Sequence, residues 1–217
     1  MAHSPVSLLL DFLFPPRCPL CRAYVETRGT LCAACRQKIL RPHRLALPPA
    51  LAALVHEAWA VAPYHEGLQP VIRALKYGGK RALLPAFHTL LVAAGLPLLR
   101  ADFAVPVPLH AARERERGFN QAEAIFHDYL AAQRIPILRA LARTRPTPPL
   151  YGLAPHERKA ALRGAFALAE PIAIRGRHIL LIDDILTTGA TLTACAHLLK
   201  KGGAARIDLL VLASDHA

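Results

Sequence analysis

Residues 179–191 read Ile-Leu-Leu-Ile-Asp-Asp-Ile-Leu-Thr-Thr-Gly-Ala-Thr, and few folds accommodate such a string. Ile179 to Ile182 form an apolar run of the kind found in strands buried on both faces. Asp183 and Asp184 follow at its carboxyl end. A turn of threonine and glycine then opens a helical stretch, Ala190 to Lys201, which stops at Gly202-Gly203. Parallel sheets bind ligands off the carboxyl ends of their strands. At the start of the following helix, outward-pointing amides and the macrodipole attract anions. Thr187, Thr188 and Thr191 add hydroxyl donors beside Ala190, and Gly189 lets the backbone close on a phosphate. Two adjacent acids would repel a bare phosphate, but carboxylates accept from vicinal sugar hydroxyls and favour magnesium. The combination describes a ribose-phosphate site; the plainer account is a strand–turn–helix with two surface acids. There is no G-x-x-x-x-G-K-[ST] for a P-loop and no G-x-G-x-x-G for a dinucleotide.

The rest of the chain alternates strands with helices. Ala58–Tyr64, Phe103–Pro108 and Arg206–Ala213 read as strands. Leu68–Tyr77, Arg81–Leu96 and Asn120–Gln133 read as helices. Arg143–Pro155, with four prolines and a glycine, reads as an irregular loop. This order predicts an α/β fold, a parallel sheet with helices on both faces. A Pro-containing connector, Leu45–Leu51, separates it from a short N-terminal unit. The expected domains are residues 1–45 and 57–217.

The N-terminal unit carries an apolar segment, Val6–Phe14, and then Cys18-x-x-Cys21 and Cys32-x-x-Cys35, ten residues apart. Two such pairs can close a tetrahedron of thiolates on one ion, which favours zinc in a structural role. A four-cysteine iron–sulfur centre uses the same ligands. Disulfides are disfavoured because nothing marks the chain for secretion: Asp11 interrupts the apolar start and no Lys or Arg precedes it. Cytoplasmic location is therefore expected. With no apolar stretch of 18 residues, no membrane insertion is expected. Cys195, in the later helix, is expected to be an inert buried thiol. The histidines form neither H-x-H nor H-E-x-x-H, and no nucleophile–base pair stands out.

The net charge is +12, and 21 of the 27 basic residues are arginine. Arginine suits bidentate contact with phosphate, so the partner class is anionic: a phosphorylated metabolite or nucleic acid. The segment Arg113-Glu114-Arg115-Glu116-Arg117 concentrates that charge. In an extended loop a period of two puts all three arginines on one side; on a helix, residues two apart diverge. Lys76 ends a helical stretch just before Gly78-Gly79. Asn120 is a candidate N-cap.

Residues 179–191 resemble the phosphoribosyl-pyrophosphate (PRPP) motif of type I phosphoribosyltransferases. Val105-Pro106-Val107-Pro108-Leu109, then Arg113, Arg115 and Arg117-Gly118-Phe119-Asn120-Gln121, with the four-cysteine unit, are similar to the ComF (competence protein ComF, GntX-like) family over roughly residues 8 to 213. The resemblance implies a type I phosphoribosyltransferase fold with an N-terminal double zinc ribbon-like domain, and a link to competence, DNA uptake or use of external DNA. It implies that Asp183, Asp184, Thr187, Thr188, Gly189, Ala190 and Thr191 hold PRPP or a related ribose phosphate with magnesium. It places Arg113, Arg115, Arg117 and Lys76 at the pyrophosphate. It makes Arg143–Arg163 a covering loop that retains Arg158. Family members carry a glutamine near Pro149 and an asparagine where Ala161 stands, so this lid lacks two polar groups.

Two functions follow. The first is transfer of phosphoribosyl to an acceptor the sequence does not name, through an oxocarbenium-like transition state, with charge and position supplied by the protein. The second is a non-catalytic module that senses PRPP or binds single-stranded DNA, with Phe119, Tyr77 and Tyr64 as the available aromatics.

Overall fold

The computed structural model describes residues 12–97, 100–147 and 155–216. Its centre is a five-stranded sheet of order β1-β2-β7-β6-β3. The strands are β1 (His43–Arg44), β2 (Ala58–Ala62), β3 (Phe103–Pro106), β6 (His178–Leu186) and β7 (Arg206–Ser214). All neighbours run parallel except β1, which pairs antiparallel with β2. A separate antiparallel ribbon joins β4 (Leu141–Arg143) to β5 (Phe166–Leu168).

The strand period sorts the two cores. On one face Leu180, Ile182, Leu210 and Leu212 pack under α3 (Gln69–Gly78), α4 (Leu84–Ala93) and α6 (Gln121–Ala132). On the other, Ile179, Leu181, Leu209 and Val211 pack under α9 (Ala190–Lys201) through Leu192, Cys195 and Leu199. Each of these strand side chains is fully buried, an effect of about 1.5–3 kcal/mol apiece. That is why Ile179–Ile182 of β6 and Leu209–Ala213 of β7 read as unbroken apolar runs rather than as alternating ones. This is the expected α/β architecture, a parallel sheet with helices on both faces.

The N-terminal unit contributes Cys18, Val25, Leu31 and Ile39 to the same apolar cluster as α3 and α4. Its helix α1 (Ala33–Ile39) starts at Cys32. Contact is close at Gly29, where φ is +81° and an added Cβ would sit 1.7 Å from the Ala82 carbonyl oxygen. The short α2 (Pro49–Ala52) lies in the connector, and α3 is entered through a π-helical turn, Tyr64–Leu68. The apolar start, Val6–Phe14, falls mostly outside the described residues; Phe12 and Leu13 are helical. Among the described residues no helix is long and apolar enough to cross a membrane.

Three local expectations need correction. Residues Ala111–Arg117 form a helix, α5, not an extended loop. His110 caps it by accepting from the Ala112 amide at 3.3 Å, and Gly118 ends it in the left-handed region at φ +80°. Arg143 is not in an irregular loop but ends β4, paired with Phe166. After β5 comes the short α8 (Pro171–Ile174). Finally, β6 runs past both aspartates to Leu186, held by β7 through Ile185↔Ala213 and Leu186↔Ser214.

Candidate functional site

Because Asp183 and Asp184 lie inside β6, consecutive side chains leave on opposite faces of the sheet. Asp184 continues the face of Leu180 and Ile182 and meets α3, where Lys76 Nζ lies 2.6 Å from Asp184 Oδ2. Burial opposes the charge on Lys76, but the Asp184 carboxylate outweighs it, helped by Asp183 and Tyr64. The ammonium is therefore held above its usual pKa. Asp183 continues the face of Ile179 and Leu181, where Cys195 and Arg143 are its electrostatic neighbours. Burial, and then the charge of Asp184, push the Asp183 carboxyl up to about 8 against the pull of Lys76. The pair is thus held asymmetrically, one carboxyl ion-paired and the other disposed to keep its proton. An Asp183 oxygen also accepts from the Asp184 amide at 2.8 Å.

Beyond Leu186 the turn places Thr187 and Thr188 in solvent and Gly189 in the interior. Gly189 has φ +72°, and a Cβ there would meet Pro48 and Leu51 at 3.3 and 3.4 Å, so both conformation and space call for glycine. Gly189 is the N-cap of α9 and supplies no capping side chain, which leaves the first-turn amides without a side-chain acceptor there. Thr191 opens α9. The Thr187 carbonyl accepts from His216, and Ser214 donates to the Leu186 carbonyl, so the end of β7 braces the turn. Beside it Asp215 accepts from the Tyr64 and His65 amides and pairs with the His65 ring. Burial opposes the Asp215 charge, but these contacts hold the carboxyl below its usual range.

The helical form of 111–117 divides the three arginines. Arg113 and Arg117, four apart, are half-buried on one side, whereas Arg115 is exposed. Glu114 is taken by Arg139, whose guanidinium lies 3.1 Å from it and 2.8 Å from Glu123. Hydrogen bonding to Glu123 chiefly raises the Arg139 pKa, with Glu114 adding to it. Asn120 caps α6 by accepting from Glu123 N at 3.3 Å and donates to the Val107 carbonyl at 3.0 Å, tying the helix to the chain just after β3. The Arg81 guanidinium lies over the buried Phe119 ring at 5.2 Å. Arg158 is on α7 (Pro155–Leu162), while Pro149 lies outside the described residues. Arg145 donates to the carbonyls of Ala161 and Arg163 at the helix end.

Sequence reasoning missed Arg143 and Thr147. Arg143 donates to the Thr147 hydroxyl, and Arg113 donates to the Thr147 carbonyl at 3.3 Å. Arg143 ends a strand of three residues, too short to show a period, and Thr147 lies beyond that strand, so only the tertiary contacts single them out. Cys195 is a fully buried thiol whose pKa burial raises, in keeping with an inert role.

The four N-terminal cysteines converge: their sulfurs lie within 4.8 Å of one another, with Cys21 Sγ 3.5 Å from Cys32 Sγ. A tetrahedral zinc with bonds of about 2.3 Å needs sulfurs roughly 3.8 Å apart, so the set fits that ion. Burial opposes charge on Cys18, but amides of Cys21, Cys32 and Leu20 and the Cys21 thiol lower it to about 6. Burial and the neighbouring sulfurs push Cys35 up to about 12. Opposed thiols of this kind are what a shared cation relieves.

Comparison with known proteins agrees with both parts. Residues 9–46 match the double zinc ribbon domain family, and residues 153–217 match the phosphoribosyl transferase domain family. The DNA utilization protein YhgH of Escherichia coli (strain K12) is 32% identical over 209 residues, covering 90% of this chain and 88% of that protein. Competence protein ComFC of Bacillus subtilis (strain 168) is 29% identical over 181 residues, covering 73% and 65%. Among solved structures, a glutamine PRPP amidotransferase from B. subtilis aligns at 15% identity and a TM-score of 0.40, covering 58% of this chain and 25% of that one.

Proposed function

The chain belongs to the ComF family, and from that premise we propose that it binds PRPP or a related ribose phosphate with magnesium and transfers the phosphoribosyl group to an acceptor in the use of external DNA. The observation that carries this reading is the uncapped start of α9, directly after a strand that presents one carboxylate to each face of the sheet. The amides and hydroxyls of Thr187 to Thr191 hold the 5-phosphate. Asp183 accepts from the ribose hydroxyls, Asp184 joins it only when its pair with Lys76 opens, and carboxylate oxygens suit magnesium, which would neutralise the diphosphate. Arg113 and Arg117 face the leaving pyrophosphate; Arg115, on the exposed side of α5, contributes to the field rather than to a contact. Lys76 is committed to Asp184, so it reaches a phosphate only when that pair opens. A nucleophile attacks C1 of the ribose, the C1–O bond to pyrophosphate breaks, and pyrophosphate leaves with the bonding pair. Arg158 belongs to the covering segment. The residues 1–45 and 57–217 act as a zinc-stabilised unit and a phosphoribosyltransferase-like domain, in the cytoplasm.

Single-stranded DNA binding gains little from the aromatics: Phe119 is buried under Arg81, and the Tyr64 ring stands edge-on to His65. Calorimetry with PRPP and magnesium tests the reading. Heat is expected from the wild type and none from Asp183→Asn combined with Asp184→Asn. Pyrophosphate release with a panel of bases and other nucleophiles then tests transfer; binding without turnover across the panel would leave a PRPP sensor. DNA affinity that falls steeply with salt and survives the double substitution would place DNA contacts outside this pocket.

A further inference from the structure

The segments that follow β2 and β7 build a second side-chain cluster at the carboxyl end of the sheet. Asp215, one residue past β7, accepts from the Tyr64 amide at 2.8 Å and from the His65 amide at 3.2 Å. Its other oxygen pairs with His65 Nδ1. His65 lies in the π-helical turn that enters α3, a kind of turn common at functional sites. With Nδ1 donating to a carboxylate, Nε2 is left as the basic nitrogen of the ring. Among the described residues Nε2 has no hydrogen-bond partner, and the His65 side chain is 70% exposed. An imidazole oriented by a carboxylate, with its second nitrogen open, has the form of a general base. Bracing the turn requires only the two amide contacts and leaves the paired ring unexplained.

Hydrogen bonds and strand register join this cluster to the phosphate turn. His216, next to Asp215, pairs with the Thr187 carbonyl, and Ser214 donates to the Leu186 carbonyl opposite it. Strand order then decides which side of the turn the cluster occupies. Neighbouring strands run β2-β7-β6-β3. Arg113 and Arg117 follow β3, the phosphate turn follows β6, Asp215 follows β7 and His65 follows β2. His65 is therefore two strand spacings, roughly 10 Å, from β6, on the side away from the arginines. If pyrophosphate leaves C1 toward the arginines, an in-line nucleophile enters from the opposite side. That is the side of His65.

We propose that His65 is the base that receives the proton of the acceptor, that Asp215 positions it, and that the acceptor is a flat heterocycle attacking through a ring N–H. The assignment rests on the PRPP reading of the Asp183–Asp184 site. The ring nitrogen bonds to C1, the C1–O bond breaks, and pyrophosphate leaves with the bonding pair. The N–H proton passes to His65 Nε2. The Asp215 carboxylate stabilises the imidazolium so formed, which then returns its proton to solvent. The Tyr64 ring, 5.0 Å from the His65 ring and at 74° to it, supplies aromatic surface for a flat acceptor.

The test uses the full zinc-loaded chain with magnesium and PRPP, and adenine, hypoxanthine, uracil and orotate as acceptors. Calorimetry reads PRPP binding, and acceptor-dependent pyrophosphate release reads transfer. His65→Asn keeps a donor for Asp215 where Nδ1 stood but has no Nε2. It is expected to lower kcat by about 100-fold and to change PRPP affinity by less than about twofold. His65→Ala should lose as much and regain about tenfold on addition of free imidazole, which a merely structural histidine would not show. Asp215→Asn still accepts from both amides but loses the charge, and should lower kcat by about tenfold. Wild-type kcat in His65→Asn, a parallel loss of PRPP affinity, or no rescue by imidazole overturns the proposal. So does a wild type whose pyrophosphate release no acceptor raises. No heat with PRPP sinks the PRPP reading and the base with it, whereas heat with unimpaired His65 variants sinks the base alone. Should Asp215→Asn not fold, the two variants at the exposed His65 decide the matter.

Discussion

Lys76 Nζ sits 2.6 Å from Asp184 Oδ2, joining the last turn of α3 to β6 where the strand leaves the core. The pair neutralises one carboxylate of the candidate site and leaves the other, Asp183, to titrate. Removing one partner leaves a desolvated charge. Lys76→Met is expected to destabilise the chain by about 3 kcal/mol, and combining it with Asp184→Asn should recover much of that loss. Urea unfolding of the four proteins in the cycle measures the coupling. Strictly additive losses would mean that the contact is not energetically coupled.

Asp183 gives stability a pH dependence. Its carboxyl is pushed up to about 8 in the folded chain. Between roughly pH 4 and that value, the folded state holds a proton that the unfolded state has released. The contribution to stability is complete below the unfolded pKa and disappears as pH rises through about 8. Asp183→Asn cannot ionise, so its melting temperature relative to wild type should rise with pH, by on the order of 5 °C between pH 5 and pH 9. Melting curves across that range check this; a constant difference would contradict it.

Gly29→Ala forces a Cβ to within 1.7 Å of a backbone oxygen, that of Ala82, at a left-handed φ of +81°. Neither strand of chain can yield by turning a side chain. A loss of about 3 kcal/mol is expected. Gly95→Ala, at φ +55° with nothing within 4 Å, should cost only the left-handed strain, about 1 kcal/mol. Denaturant midpoints of the two variants compare them directly.

Chelation should unsettle more than the N-terminal unit, because Cys18 and Ile39 share an apolar cluster with Leu75 and Phe87. Removing the metal is expected to lower the melting temperature of the whole chain by on the order of 10 °C. One zinc per chain should be released, measured with a colorimetric chelator. A brown chain with iron absorption would identify a cluster in its place.

Asn120→Ala removes both an N-cap and the donor to the Val107 carbonyl. A loss of about 1–2 kcal/mol is expected, and Asn120→Asp should retain the cap but not the bond to Val107. Thermal unfolding of both variants separates the two contributions.

Much of this molecule is determined by local chemistry. The apolar run at 179–182, flanked by acids and a Thr/Gly turn, reads as a central strand. Gly189 and Gly202 delimit α9, Asn120 caps α6, and four cysteines in two C-x-x-C pairs must gather on one centre, because each of these depends on neighbours a few residues away. Contacts between distant segments depend on packing. The sequence places Asp183 beside Asp184, but only the pleat of β6, extended to Leu186 by its pairing with β7, sends them to opposite faces. The alternation of Arg and Glu at 113–117 fits a strand or a helix equally well; the His110 cap and Gly118 decide for helix and so turn Arg115 away. The partners Lys76 for Asp184, Arg139 for Glu114 and Thr147 for Arg113 lie between 25 and 108 residues apart along the chain, and a charge finds such a partner only after the sheet has brought the segments together.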